Sequence, residues 1–164
     1  MNSDEESERR LPLLQQREIE ANIVGPLIRA FAAELGEERT LELVRGVITD
    51  LAMKSGAELA ASLGEATLGV FATALDRWKE GGALEIDVLE ASSQRLSFNV
   101  TRCRYAEMYR AIGLGDLGAS LSCQRDFALI QGFNPEISLA RSQTIMEGAP
   151  FCDFRFRANL IGKE

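Results

Sequence analysis

The stretch 83-ALEIDVLEASSQRLSFNVT-101 decides the fold, because the hydrophobic period changes here from helical to two. In its first half, the apolar residues Leu84, Ile86 and Val88 alternate with charged residues. RLSFNVT repeats the alternation, and the four residues between the two halves, ASSQ, are typical of a turn. The stretch therefore predicts an antiparallel hairpin with one buried face.

Three helices are predicted before this hairpin, because apolar residues recur there at helical spacing. They cover about residues 15–35, 38–62 and 66–80, and a glycine follows each. In the first, apolar residues recur every four positions: Ile19, Ile23, Leu27 and Phe31. Pro26 lies inside this pattern and predicts a kink or a later start of the helix.

Two helices and two strands are predicted after the hairpin. The helices cover about residues 104–112 and 116–131, and Gly132 with the following Asn-Pro ends the second. The strands cover about 136–146 and 151–158, joined by the turn EGAP. The element order ααα-ββ-αα-ββ predicts an α+β fold, with one four-stranded antiparallel sheet covered by helices.

The length of 164 residues fits a single domain that can bury a sizeable core. Residues 1–12 are polar and charged, so we expect a disordered tail. The single α+β domain is then expected over 13–164, with a helical part over 13–82 and a sheet-containing part over 83–158.

The net charge of −7 argues against a nucleic-acid or anionic-membrane surface, since both favour a basic face. No apolar run approaches the ~20 residues of a membrane span. The acidic N-terminus MNSDEESERR lacks the apolar core of a signal peptide. These features predict a cytoplasmic protein whose three cysteines are not joined by disulfides.

Cys123 and Asp126 are three residues apart, so they share one face of their predicted helix. A buried carboxylate needs a partner. The candidates are Arg125, Arg141 and Arg155. The alternative is that Cys123 is a small core residue and Asp126 an ordinary salt-bridged one.

Cys152 alternates with Phe154 and Phe156 on the last predicted strand, which indicates the core face. Cys152, and not Asp153, is therefore expected to face the helix that carries Cys123. Core packing is the alternative role for this cysteine as well.

Cys103 lies where the second strand meets a helix, and a helix N-terminus lowers the pKa of a thiol. A core residue at the helix entry is the alternative. Glu147 lies in a hairpin turn and is expected to face solvent. The chain has no histidine, so a Ser-His-Asp triad is excluded. Thiols near carboxylates leave two options: a zinc site or a cysteine nucleophile with a carboxylate base.

The C-terminal half resembles the L-2-amino-thiazoline-4-carboxylic acid hydrolase family over about residues 96–157. The shared elements are CRYAEMY from Cys103, CQRDFALIQGFNPEISLARSQTIMEG from Cys123, and CDFRF from Cys152. The resemblance implies a hydrolase that opens a 2-aminothiazoline ring with water and gives N-carbamoyl-cysteine. The same half of the chain has a fainter similarity to 4-vinyl-reductase-type ligand-binding domains.

The resemblance implies two groups of site residues. The catalytic group is Cys123, Asp126, Glu147, Cys152 and Asp153. The substrate-binding group is Cys103, Tyr105, Arg141, Gln143, Thr144 and Arg155.

Our hypothesis for the mechanism divides the work among these residues. Asp126 holds the substrate amidinium, and Glu147 or Asp153 directs the water. Arg141 or Arg155 holds the substrate carboxylate. A cysteine, either Cys123 or Cys152, acts as nucleophile or binds a metal ion that activates the water.

The alternative function is a non-enzymatic small-molecule-binding or sensor domain. In that case Cys123, Glu147 and Cys152 are expected to hold a structural zinc ion. For either function the expected partner is a small molecule, with no nucleic acid and no membrane. The apolar faces of the N-terminal helices are expected to pack on the sheet or on a second subunit in a homodimer.

Overall fold

The structure is a computed structural model that describes residues 10–159. It confirms the α+β class and the predicted order of helices and strands. The α-helices are α1 Leu13–Leu35, α2 Glu37–Leu63, α3 Leu68–Lys79, α4 Arg104–Ala111 and α5 Arg125–Phe133. The strands are β1 Leu84–Ala91, β2 Arg95–Cys103, β3 Ile137–Ala140 and β4 Cys152–Ala158. Of the tail predicted over 1–12, residues 1–9 lie outside the described part.

The four strands form one antiparallel sheet in the order β1-β2-β4-β3. At its centre, Phe98 of β2 lies opposite Phe154 of β4, and Leu96 lies opposite Phe156. All four side chains are buried, so the inner face of the sheet is apolar at these positions, as the period of two predicts.

Helices α3 and α5 cover this inner face with aromatic contacts. The ring of Phe71, from α3, lies 5.2 Å from that of Phe133 in α5 and 5.1 Å from that of Phe156 in β4. Tilted and stacked ring pairs at these separations add to the stabilisation from buried area. The hydrophobic core therefore joins both helices to the two central strands.

Helix α1 is continuous from Leu13 to Leu35, so the later start predicted at Pro26 is wrong. Proline leaves the carbonyl of Asn22 without its helical donor. Both residues are exposed, so water can hydrate that carbonyl. Helix α1 ends at Gly36, which adopts a φ of 86° that favours glycine.

Helices α2 and α5 approach backbone to backbone through a pair of glycines. A Cβ on Gly56 would lie 2.0 Å from the carbonyl oxygen of Leu129, and one on Gly132 would lie 2.0 Å from that of Met53. The prediction that Gly132 ends its helix is therefore wrong, since α5 continues to Phe133. Close helix packing, not termination, requires glycine here.

The helix predicted over 116–131 is divided in two. A π-helical turn covers Ala119–Cys123, with Gln124 N donating to the Ala119 carbonyl, and α5 begins only at Arg125. The segment between α4 and the turn carries three glycines, Gly113, Gly115 and Gly118, which weaken a regular helix. A Cβ on Gly118 would lie 2.3 Å from Sδ of Met146, so that side chain would have to move.

The strand predicted over 136–146 is also shorter than expected, since β3 ends at Ala140. Beyond it, the Asp153 carboxylate accepts hydrogen bonds from the backbone N–H groups of Ser142 and Gln143, both at 2.9 Å. A side chain thus replaces the next step of the β3–β4 ladder. A 3-10 turn, Ile145–Glu147, then leads towards β4, and the Thr144 side chain caps it.

Candidate functional site

A cavity of about 110 Å³ lies between the inner face of the sheet, the π-helical turn with α5, and the N-terminal helices. An apolar cavity of roughly 150 Å³ binds benzene in another protein, so this space suits one small ring. Its lining includes three cysteines, three arginines, one carboxylate and aromatic walls: Cys103, Cys123, Cys152, Arg17, Arg125, Arg141, Asp126, Tyr105, Trp78 and Phe154.

Asp126 and Arg141 form an ion pair in the wall of this cavity. Arg141 Nη1 donates to Asp126 Oδ2, and Arg141 Nη2 donates to the carbonyl of Cys123 at 3.1 Å. The side chains are 7% and 21% exposed for Arg141 and Asp126. Arg141 is thus the partner of Asp126 among the three arginines that the sequence offered.

Two aromatic rings fix the orientation of Arg141. Its guanidinium carbon lies 4.9 Å from the ring centre of Phe127 and 5.2 Å from that of Phe154. Cation–π contacts of this kind stabilise a desolvated guanidinium. Because its hydrogen bonds to Asp126 and Cys123 are already formed, Arg141 has a structural role that does not depend on a ligand.

Asp126 combines an accessible oxygen with a raised proton affinity. Burial raises its pKa to about 6, and the neighbouring Arg141 opposes that rise. Among the described residues, no hydrogen bond reaches Oδ1. A carboxylate with a pKa near neutrality is suited to accept and return a proton.

The three thiols converge on the cavity, as the alternation of β4 predicts for Cys152. Burial raises the pKa of all three, in the case of Cys103 to about 11. The expectation that a helix N-terminus lowers the pKa of Cys103 is therefore wrong. Hydrogen bonds from the N–H groups of Tyr105 and Ala106 do lower it, but burial outweighs them. The thiols are accordingly neutral at physiological pH.

Two cavity residues lie outside the predicted site: Arg17, which the sequence did not indicate, and Arg125, which it offered only as a partner of Asp126. Arg17 Nη1 donates to both oxygens of Glu20, at 2.8 and 2.7 Å. Arg125 Nε donates to the carbonyl of Leu121 at 2.8 Å, and its Nη2 lies 3.5 Å from Glu20 Oε2. Arg17 precedes buried Ala21 by one turn and so lies on the inner face of α1, a face that the apolar period of this helix does not mark.

Five predicted site residues do not line the cavity: Asp153, Glu147, Thr144, Gln143 and Arg155. Asp153 points the other way and also accepts from the Ser142 hydroxyl at 2.6 Å. Exposed Glu147 accepts from the Thr144 hydroxyl at 2.7 Å, as its predicted position in a turn suggests. Gln143 donates to the Phe151 carbonyl. Arg155 donates to Asn99 and to the Phe98 carbonyl across the outer part of the sheet.

The residues predicted to hold zinc do not fit a metal site. Cys123 and Cys152 line the cavity, but Glu147 is bound to Thr144 outside it. Cys152 Sγ accepts a hydrogen bond from Ile145 N at 3.2 Å. Over residues 10–159, no three Cys, Asp or Glu side chains are grouped closely enough to hold a metal ion. We derive no chemical step through a metal.

The fold and the cavity together define a class: a small α+β domain with a partly open, ring-sized cavity. The family model described as L-2-amino-thiazoline-4-carboxylic acid hydrolase matches residues 16–156. The chain therefore belongs to that family. Among curated proteins, no sequence matches the chain.

A solved structure has a similar fold. It is the crystal structure of the phenol-responsive sensory domain of the transcription activator PoxR with phenol. The TM-score is 0.53 at 13% identity, over 86% of this chain and 75% of that one. At this identity the similarity concerns the fold alone.

In the part of the chain that the structure describes, no helix has the length and apolar character needed to cross a membrane.

Proposed function

We propose that this protein is a hydrolase that opens a 2-aminothiazoline-4-carboxylate-like ring to N-carbamoyl-cysteine. The observation that carries the proposal is the pairing of a ring-sized cavity with one accessible carboxylate, Asp126, in a chain of this family. A protonated cyclic amidine is complementary to that carboxylate, because a charge-assisted hydrogen bond can form at Oδ1.

The chemistry needs one water and one proton carrier. Water adds to C2 of the amidinium, so that a C–O bond forms, and the C2–S bond then breaks. Asp126 takes one proton from the attacking water and returns it to the departing sulfur, which leaves as a thiol. The second proton of that water, now on the C2 hydroxyl, passes to solvent as the carbamoyl C=O forms, so that the cationic amidinium becomes a neutral urea. Its pKa of about 6 suits both transfers near neutral pH. Arg141 keeps Asp126 in place throughout.

The structure weighs against some of the roles predicted for the other residues. Glu147 and Asp153 do not line the cavity, which weighs against either as the base that directs water. The raised thiol pKa values weigh against a thiolate nucleophile. The three cysteines, as neutral side chains, instead shape a polarizable wall around the ring.

Turnover can be followed through the thiol that ring opening releases. Wild type is expected to release one thiol per substrate, and Asp126→Asn to lose at least 100-fold in kcat/KM while it still folds. Ser62→Ala, at an exposed site on α2, is the control that should leave the rate unchanged. A rate that survives in Asp126→Asn would overturn the assignment of Asp126.

A second candidate function is ligand sensing without turnover. The similar fold of the PoxR sensory domain, whose structure contains phenol, favours it. So do the neutral thiols and the ring-sized cavity, which can hold a small ring without any reaction. Tight binding of the thiazoline with quantitative recovery of the intact ring would favour this function over the hydrolase.

A further inference from the structure

We propose that Arg17 and Arg125 form an anion-binding subsite of the cavity, and that this subsite takes the carboxylate of a small ligand. The nature of the ligand rests on the proposed function, whereas the subsite itself rests on the geometry of these two arginines. Arg141 and Arg155, the arginines that the sequence offered for this task, are both engaged elsewhere.

The first support is an excess of positive charge. Arg17 and Arg125 converge on the single carboxylate of Glu20. Their side chains are 17% and 16% exposed, whereas Glu20 is 46% exposed. Two largely buried arginine side chains thus share one carboxylate that water already solvates in part. A carboxylate of a ligand, bound on the cavity side, would neutralise the second positive charge of this arginine pair.

The second support is the supply of uncommitted donors. Arg17 uses Nη1 for Glu20, so Nε and Nη2 have no hydrogen-bond partner within residues 10–159. On the same basis, Nη1 of Arg125 has none. Both residues line the cavity. Planar guanidinium groups with free N–H donors match the geometry of a carboxylate.

The third support is the opposite charge elsewhere in the same cavity. Asp126 presents a negative group to a ligand, and Arg17 and Arg125 present a positive one. Both arginines are close enough to lower the pKa of Asp126. The ligand that fits is therefore a small ring with a cationic amidine and an anionic carboxylate. This deepens the proposed function, because it assigns the carboxylate of the substrate to a specific pair of residues.

The test uses two aromatic probes that resist hydrolysis, 2-aminothiazole-4-carboxylate and 2-aminothiazole, which differ only in the carboxylate. Calorimetry on the full chain should show at least a tenfold preference of wild type for the carboxylated probe. Arg17→Met and Arg125→Met should each remove most of that preference, and Arg125→Lys should retain part of it. Arg39→Met is the matched control, since Arg39 forms the same i,i+3 ion pair with Glu42 but lies outside the cavity.

Glu20→Gln separates binding from mere folding. It removes the carboxylate that competes for both arginines, so it should strengthen binding of the carboxylated probe several-fold and leave the neutral probe unchanged. A structural defect would weaken both. The proposal is overturned if wild type shows no preference, if it binds neither probe, or if both Met variants keep the preference.

The outcomes also separate this subsite from the proposed function. A wild-type preference that depends on Arg17 and Arg125, without ring opening of the thiazoline, supports the subsite and contradicts the hydrolase. Ring opening by wild type, with a preference that survives in both Met variants, supports the hydrolase and contradicts the subsite.

A different feature, the outer face of α1 and α2, carries a second inference. Eight large apolar side chains of these two helices are 47–62% exposed. We call them the N-terminal helix face: Ile19, Ile23, Leu27, Phe31, Leu35, Leu43, Val47 and Leu51. The apolar row that recurs every four residues in α1 is therefore exposed. Of the two predicted contacts, packing on the sheet is wrong for these side chains, and packing on a second subunit stays a prediction.

The size of this face points to a second copy of the chain. At roughly 120 Å² for a fully exposed aliphatic side chain, these side chains present on the order of 500 Å², close to the apolar share of the ~800 Å² that each partner contributes to a standard interface. A patch of this size matches the largest apolar patch of a typical monomer, about 300–600 Å², and such patches are often functional. We infer a symmetric dimer in which the N-terminal helix face packs on its own copy.

Sedimentation measurements on the full chain test the dimer. Wild type should sediment as a dimer at 10 µM, and Ile23→Asp should shift it to monomer. Val88→Asp, at an equally exposed apolar residue on the edge strand β1, should leave the dimer intact. A monomeric wild type, a dimeric Ile23→Asp or a monomeric Val88→Asp would each overturn this inference.

Discussion

Arg141 donates one hydrogen bond to Asp126 and another to the backbone of Cys123, while the rings of Phe127 and Phe154 hold its guanidinium. This one side chain therefore links β3, α5 and β4 at the wall of the cavity. It reaches the cavity because its own segment leaves the sheet after Ala140.

Removal of Arg141 is expected to be strongly destabilising. Arg141→Met leaves the Asp126 carboxylate buried without its partner, and loss of one member of a buried pair costs about 3–5 kcal/mol. The double variant Arg141→Met with Asp126→Leu should recover much of this loss, since no unpaired charge remains. Urea unfolding of the two variants measures both effects. A cost of under 1 kcal/mol in the single variant would show that the pair contributes little.

The contribution of Asp126 to the stability of the protein should fall as the pH rises from about 4 to 6. Burial raises the pKa of Asp126 to about 6 in the folded state, against an ordinary value of 3.8. In this window the folded state binds more protons than the unfolded state, so the free energy of unfolding decreases with pH. The stabilising contribution of the protonated form is complete only below the window.

Asp126→Asn isolates this contribution, because asparagine resembles the protonated acid at every pH. Relative to that variant, wild type should lose on the order of 2–3 kcal/mol between pH 4 and pH 7. Urea unfolding at several pH values provides the comparison. If the difference between the two proteins stays constant, or changes in the opposite direction, the pKa of Asp126 is not raised.

The cysteines should be slow to react in the folded protein. A pKa of about 11 for Cys103 reduces its thiolate fraction roughly a few hundred-fold relative to free cysteine at pH 7.5. Alkylation followed by mass spectrometry measures each site, and the protein in urea, with three thiols accessible, is the control. One thiol that reacts as fast as free cysteine would restore the hypothesis of a cysteine nucleophile.

Gly132→Ala tests the close packing of α2 on α5. The new Cβ would lie 2.0 Å from the Met53 carbonyl oxygen, so the helices must separate, at an expected cost of at least 2 kcal/mol. Gly46→Ala is the matched control, because a Cβ there meets nothing within 4 Å. It should stabilise α2 by about 0.5–1 kcal/mol. Thermal unfolding of both variants gives the comparison, and similar effects at the two sites would contradict the packing model.

The sequence predicts those parts of the fold that depend on local periodicity. The alternation around Phe98 placed the hairpin and the buried face of β2 correctly, and the alternation of β4 placed Cys152 towards Cys123. Val88 of β1, expected on that face, is 60% exposed, on the edge strand next to an irregularity in the β1–β2 register. Gly132 was misread because its role depends on Met53, which is far away in the sequence. The strand after Ala140 was overextended because a side chain, that of Asp153, replaces backbone pairing.

The candidate site was predictable where its residues lie in the matching motifs. Asp126, Arg141 and the three cysteines meet in the cavity, as the motifs of the C-terminal half suggest. Arg17 comes from α1, which carries no sharp motif, so only the fold reveals its position beside Arg125. The outward direction of the Ile23 row was equally hidden, since a period identifies a face but not what covers it.

The most direct test of the central claim is a single-turnover reaction in water enriched in oxygen-18. Stoichiometric wild-type protein and 2-aminothiazoline-4-carboxylate are mixed, and the products are analysed by mass spectrometry. The account predicts N-carbamoyl-cysteine with one heavy oxygen in its carbamoyl group, formed much faster than without protein and much more slowly with Asp126→Asn. Recovery of the intact ring, bound but unchanged, would contradict it and leave a ligand-binding domain.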